Sequence, residues 1–168
     1  MKNQIIFLLL LCCSFAFCDG KSIKAVKVIT APVIDGKLDE ECWKASQQGK
    51  DFYALNKNDS AKEQTFFYVL YDDEKLYLGM KCQSSNVDKF KKIAKENSRS
   101  FKYEEGENVE LFLDPGKSKK SYLQLIINTN GTSLVRMVTD DPMQNGNPWE
   151  YAVNMDKDFY SVEASIPL

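Results

Sequence analysis

Asn108, Glu110, Gln124 and Asn128 are the residues whose types and spacing could do chemistry. Glu110 stands in the middle of the run "NVELFLDP", where Val109, Leu111 and Leu113 alternate with Asn108, Glu110, Phe112 and Asp114. That alternation is the period of a half-buried strand, and it puts Asn108 and Glu110 on one side. In the run "YLQLIINTN", Gln124 and Asn128 fall on one side and Leu123, Leu125 and Ile127 on the other. If the two polar sides share a sheet face, a carboxylate and several amides converge, a donor and acceptor set suited to a polyhydroxylated ligand. The plainer alternative is a solvated sheet face. Catalysis fits less well. Hydrolysis of a glycoside by paired carboxylates needs a partner across a groove, and the candidates for Glu110 are only Asp114 and Glu163. The chain has no histidine, which excludes serine–histidine triads, histidine zinc sites and bis-histidine haem.

The elements that must position these side chains are mostly strands. Lys24 to Pro32 reads as a first strand, and Asp39 as the cap of a short helix carrying Cys42 and Trp43, with Trp43 in the core. Gln64 to Tyr71 and Lys75 to Cys82 flank the turn Asp72-Asp73-Glu74 and predict a β-hairpin. Lys89 to Lys95 predicts a surface helix with Phe90 and Ile93 inward. Strands follow at Glu107 to Leu113, Ser121 to Ile127, Ser133 to Val138 and Tyr151 to Asn154, and a last one at "FYSVEASIPL". Short strands at close spacing with one or two short helices predict an all-β, antiparallel β-sandwich. The final run is apolar on alternate positions, so it is either an edge strand or a sign that the sandwich, residues 19–168, lacks its last strands.

Of the 168 residues, 43% are hydrophobic and 27% charged, as in an ordinary globular chain. Residues 1–18 have a lysine followed by a short apolar run and small residues near a cut, which reads as a secretory signal peptide. The expected location is therefore outside the cytoplasm: secreted, periplasmic or on the cell surface. A lipid anchor at Cys18 is disfavoured by the bulky Phe17 before it. No transmembrane segment is expected in the mature chain. The formal charge of −2, and a single basic cluster at Lys89 to Ser100 that reads as the solvated face of a short helix with Phe90 and Ile93 inward, argue against nucleic acid as a partner. Beyond the leader two cysteines remain, Cys42 and Cys82, as a disulfide or as two buried thiols. Asn58 and Asn130 begin N-x-S/T sequons.

The segments "APVIDGKLDEECWKAS", "FFYVLYDDEKLYLGMKC", "NVELFLDP", "YLQLIINTNGT" and "YSVEASIPL" occur in an order that resembles the family 9 carbohydrate-binding module, over about Ala31 to Leu168. The resemblance implies a jelly-roll-like sandwich that binds an oligo- or polysaccharide, often at a reducing end, and a linked glycoside hydrolase domain as partner. It implies that Glu110 accepts hydrogen bonds from sugar hydroxyls between two aromatic rings, because pyranose C–H faces pack on aromatic rings. Where the family places one groove tryptophan this chain has Glu104, with Tyr103 beside it as substitute. The second aromatic lies beyond Leu168 in the family, and Trp149 is the candidate replacement. Calcium is the ion such sandwiches usually hold, and the acidic pairs Asp72-Asp73 and Asp140-Asp141 are its weak candidates. No other cofactor is expected.

The function expected is a secreted, non-catalytic carbohydrate-binding module accessory to extracellular polysaccharide degradation. Two alternatives compete: a structural or adhesive sandwich that has lost sugar binding, and a haem-binding redox module of related fold. The second would have to draw on Met80, Met137, Met143, Met155 and lysines for ligands.

Overall fold

The structure is a computed structural model that describes residues 22–55, 57, 59–96, 101–138 and 149–168. Residues 1–18, read above as a signal peptide, with Cys18, and also Asn58, Asp140, Asp141 and Met143, lie outside the described residues. The described chain runs β1 (Val26–Lys27), α1 (Glu41–Lys44), β2 (Thr65–Tyr71), β3 (Lys75–Gln83), α2 (Val87–Glu96), β4 (Asn108–Leu113), β5 (Tyr122–Asn128), β6 (Ser133–Val138), β7 (Glu150–Met155) and β8 (Phe159–Pro167). One sheet has the order β1-β2-β3-β8-β7 and the other β4-β5-β6. All pairs are antiparallel except β1 with β2. The fold is an all-β sandwich, with two short helices among the described residues.

Alternation decides which residues meet between the sheets. Met80, Cys82, Tyr160, Val162 and Ala164 of the larger sheet face Leu125 and Ile127 of the smaller. Val109, Leu111, Leu113, Leu123 and Val135 pack against them. The β2–β3 hairpin forms in the expected place because Asp72 ties its own turn. The Asp72 carboxylate accepts from the backbone N–H of Glu74 and Lys75, both at 2.8 Å, and from the Tyr77 hydroxyl at 2.6 Å. The Tyr77 hydroxyl and the two N–H groups hold Asp72 below the usual carboxylate range. Burial, reinforced by Asp72, pushes Tyr77 up to about 12.

The outer face of the larger sheet is covered by the segment preceding β2. Trp43, Leu70 and Tyr77 form a second core there, flanked by Val26, Val28, Ile34, Leu38, Cys42 and Tyr68. At its centre is Glu163 of β8, with no exposed surface. One carboxylate oxygen accepts from the N–H of Asp35 (2.9 Å) and Gly36 (2.7 Å); the other accepts from Leu38 N–H (3.3 Å) and the Trp43 indole (2.9 Å). Burial raises its carboxyl above the ordinary range, while the N–H donors pull the other way. Two glycines make the close packing feasible. A side chain at Gly79 would meet Leu38 at 2.5 Å and the Trp43 ring at 3.1 Å. Gly36 has φ +88° and lies against the β7 backbone at Asn154.

Several sequence expectations change. The first strand shrinks to two residues; beyond Lys27 only Val28 N–H reaches the β2 backbone, at Tyr71 O. The helix after it is capped at Glu40, not Asp39, without a side-chain hydrogen bond. The run 159–167 is not an edge: it is paired on both sides, by β3 and β7. Cys42 and Cys82 are free thiols. They belong to the cores on opposite faces of the larger sheet, so the candidate disulfide is not formed. No helix among the described residues is long and apolar enough to cross a membrane.

Candidate functional site

The outer face of the smaller sheet is where the candidate residues gather. Two turns fix its register. In the first, the Asp114 carboxylate accepts from Ser118 N–H at 3.1 Å and Lys119 N–H at 2.6 Å, closing the loop between β4 and β5. These donors, Lys119 foremost, keep Asp114 below the usual carboxylate range. In the second, Asn128 N–H donates to Thr132 O and Gly131 N–H to Asn128 O, with Gly131 at φ +82°. The result pairs Asn108 with Asn128, Phe112 with Gln124, and Gln124 with Arg136. Because every pair in register shares a face, Asn108, Glu110, Phe112, Gln124, Asn128 and Arg136 all point away from the inter-sheet core.

Glu110 is exposed, and both its oxygens are held from the sides. Oε1 accepts from the Tyr103 hydroxyl at 3.2 Å and Oε2 from the Gln124 amide at 2.9 Å. The Arg136 guanidinium lies 5.8 Å from the centre of the Tyr103 ring. Tyr103 also stands edge-on to Phe101, with ring centres 5.2 Å apart, and keeps 38% of its surface exposed. Two residues beyond Glu110 on the same side, Phe112 is 58% exposed and tilts against Tyr122 at 5.7 Å. A carboxylate acceptor, an amide, a guanidinium and two accessible aromatic rings thus share one face. Such a set can bond hydroxyls laterally and pack a C–H face. Pockets form elsewhere on the molecule; one of them, a groove at the end of the sandwich, is partly lined by Phe112 and Tyr122.

Tyr103, Glu110 and Gln124 are therefore brought together, and the other proposed site residues are not. Asn128 has no exposed surface. Its amide group is used internally, and its carbonyl accepts from Asn130 N–H at 2.8 Å, so it cannot meet a ligand. Asn108 sits at the margin, donating to Tyr103 O at 3.2 Å. Trp149 is buried in the inter-sheet core, tilted on Tyr151 at 5.0 Å; as an aromatic inside the sandwich it is not a groove residue. Asp72 is committed to its turn, and Asp73 pairs with Lys27. Among the described residues there is no cluster of three metal-binding side chains. Met80 and Met155 pack in the inter-sheet core, where neither can present its sulfur to a haem at the surface. The Asn130 side-chain nitrogen, where a glycan would attach, is buried.

Arg136 and Phe112 escaped the sequence reading of the site. Arg136 carries the same signal as Glu110, a single charge within an apolar strand ("SLVRMV"). Phe112 sits on the polar side of its own alternation.

Comparison with known proteins adds a family and a fold. Residues 34–168 match the family described as carbohydrate family 9 binding domain-like. A carbohydrate binding module family 9 from Caldicellulosiruptor kristjanssonii in complex with glucose superimposes with a TM-score of 0.60 at 21% identity, covering 86% of this chain and 69% of that one. A structure described likewise, from the same organism and in complex with cellotriose, gives 0.56 at 20% identity, with 86% and 68% covered. No curated protein matches the sequence.

Proposed function

The chain belongs to the carbohydrate family 9 binding domain-like family, and from that premise we propose that the outer face of β4–β5–β6 is a saccharide-binding site. The observation that carries this reading is Glu110, an exposed carboxylate fixed by Tyr103 and Gln124 between two accessible aromatic rings. The ring of a sugar lies over Tyr103 or Phe112, and its hydroxyls bond to Glu110, Gln124 and Arg136. Hydrogen bonds to a charged acceptor are worth about 1.5–3 kcal/mol. Glucose and cellotriose, held by the two similar structures, make a gluco-configured saccharide the ligand to try first.

The module is non-catalytic in this reading. Glu163 is caged beneath the N-terminal segment and Asp114 is locked in its turn, so neither is placed to act with Glu110 across a groove. Residues 1–18 support export, and the family supports a role beside extracellular polysaccharide degradation with a glycoside hydrolase domain as partner. A thermal melt with glucose, cellotriose and their borohydride-reduced forms tests the site. Ligand at a hundred times its Kd adds about 2.7 kcal/mol, a rise of roughly 5–10 °C for a domain of this size. A rise with the intact sugars that Glu110→Ala abolishes is the expected result. No shift across a wider panel of hexoses and oligosaccharides would overturn it.

A further inference from the structure

The Tyr103 ring belongs to a segment without regular secondary structure, yet that segment is pinned at every turn. Asn128 Nδ2 donates to Lys102 O at 3.2 Å, Glu105 O at 2.7 Å and Asn108 Oδ1 at 3.0 Å. Asn108 Nδ2 donates in turn to Tyr103 O at 3.2 Å. Two stacked asparagines thus capture the carbonyls of residues 102, 103 and 105. Thr129 closes the other end, donating its N–H to Glu107 O and accepting Glu107 N–H on its hydroxyl at 3.1 Å. Gly106, at φ +93°, lets the backbone come this close: a side chain there would meet Thr129 Oγ1 at 2.4 Å and Asn128 Oδ1 at 3.0 Å. Ile126, on the same outer face between Gln124 and Asn128, has no exposed surface.

We propose that Asn128, with Gly106, is a positioning residue: it holds the 101–107 segment so that Tyr103 stands against Glu110 before any saccharide arrives. The inference rests on the saccharide-site reading. Its physical content is pre-organisation. A platform ordered by buried amides loses little freedom when a ligand packs on it, whereas a loose loop must be ordered at the moment of binding.

The test is a set of four proteins: wild type, Tyr103→Ala, Asn128→Asp and the double variant. Asn128→Asp keeps the acceptor for Asn130 N–H and replaces the donating amide with an oxygen facing two backbone carbonyls and the Asn108 side-chain oxygen. The expected result is a weakening of cellotriose binding by about tenfold in each single variant. The double variant should be no weaker than Tyr103→Ala alone, because Asn128 acts through Tyr103. A lower melting temperature with unchanged affinity, or fully additive losses, overturns the proposal. Should Asn128→Asp fail to fold, Gly106→Ala takes its place in the same cycle with the same two outcomes. Amide hydrogen exchange separates this idea from the function it rests on. If the wild type binds no sugar, the saccharide site fails. Faster exchange confined to residues 101–107 in Asn128→Asp then still supports the positioning role, and unchanged exchange there overturns it.

Discussion

Glu163, on an interior strand of the larger sheet, and Glu110, on an edge strand of the smaller, share a local setting: each sits within a strand, each follows a valine, and each points away from the inter-sheet core. Their surroundings are opposite. Glu163 lies beneath a second core and receives four N–H donors, three of them from the backbone of one segment. Glu110 lies in the open and is held by two side chains, a tyrosine hydroxyl and an amide. Backbone donors cannot leave without unfolding the segment that carries them, so the first arrangement is a structural rivet. Side-chain donors can be shared with or exchanged for a ligand's hydroxyls, so the second is suited to recognition. The same residue in the same sequence context takes its role from what covers it.

The largest effect should come from the rivet. Glu163→Leu leaves buried donors without acceptors, at about 1–3 kcal/mol each. After partial relaxation the variant should lose roughly 3–5 kcal/mol, and calorimetry should show the melt about 10 °C lower. Saccharide affinity per folded molecule should stay at the wild-type value, and a comparable loss of affinity would collapse the distinction between the two glutamates. Gly79→Ala probes the same region by overpacking. Its new methyl group must displace Leu38 and the Trp43 ring, for about 1–3 kcal/mol of destabilisation.

Glu110→Ala should do the reverse of Glu163→Leu. Stability should move by no more than about 0.5 kcal/mol, as at other surface positions. Binding to cellotriose, measured by titration calorimetry, should weaken by roughly ten- to a hundredfold. The smallest effect is expected from pH, at the hairpin turn under the second core. Asp72 has a depressed folded value, so its contribution is present above the unfolded carboxylate value of 3.8 and is lost as pH falls through the folded one. Tyr77 is raised, so its contribution is complete below 10 and lost as pH rises through about 12. Tyr77→Phe should flatten the stability profile at both ends. An unaltered profile would detach this pair from the stability of the region.

What the sequence revealed follows how local each cause is. The β2–β3 hairpin was legible because its turn chemistry lies between its own two alternating runs, and the strands fall within a residue of expectation. The polar sides of β4 and β5 were each legible in their own alternation, but that they share one face follows from the register, which the sequence reading left open. The interior place of β8 was not legible, because its neighbours β3 and β7 are chosen by long-range pairing that no alternation encodes. Asn128 read as a ligand group because a polar residue at a strand end looks alike whether water or the 101–107 segment covers it. Trp149 follows Gly- and Pro-containing sequence, which suggested a mouth, yet its large apolar surface is better placed between the sheets. The "IDG-x-LDE-x-x-W" pattern now has a physical reading. Three of its backbone N–H groups and its indole are the donors to Glu163, so its spacing is set by one distant carboxylate.

The position of β8 between β3 and β7 also governs the order in which the chain can mature. A ribosome delivers residues 159–167 after every other described strand, yet β3 and β7 have no bond to each other without them. Until then the hairpin has one flank bare, and the segment holding Asp35, Gly36 and Trp43 must wait more than a hundred residues for its anchor. Early synthesis therefore yields a chain that cannot lock, and closure of the larger sheet comes as a late, long-range step.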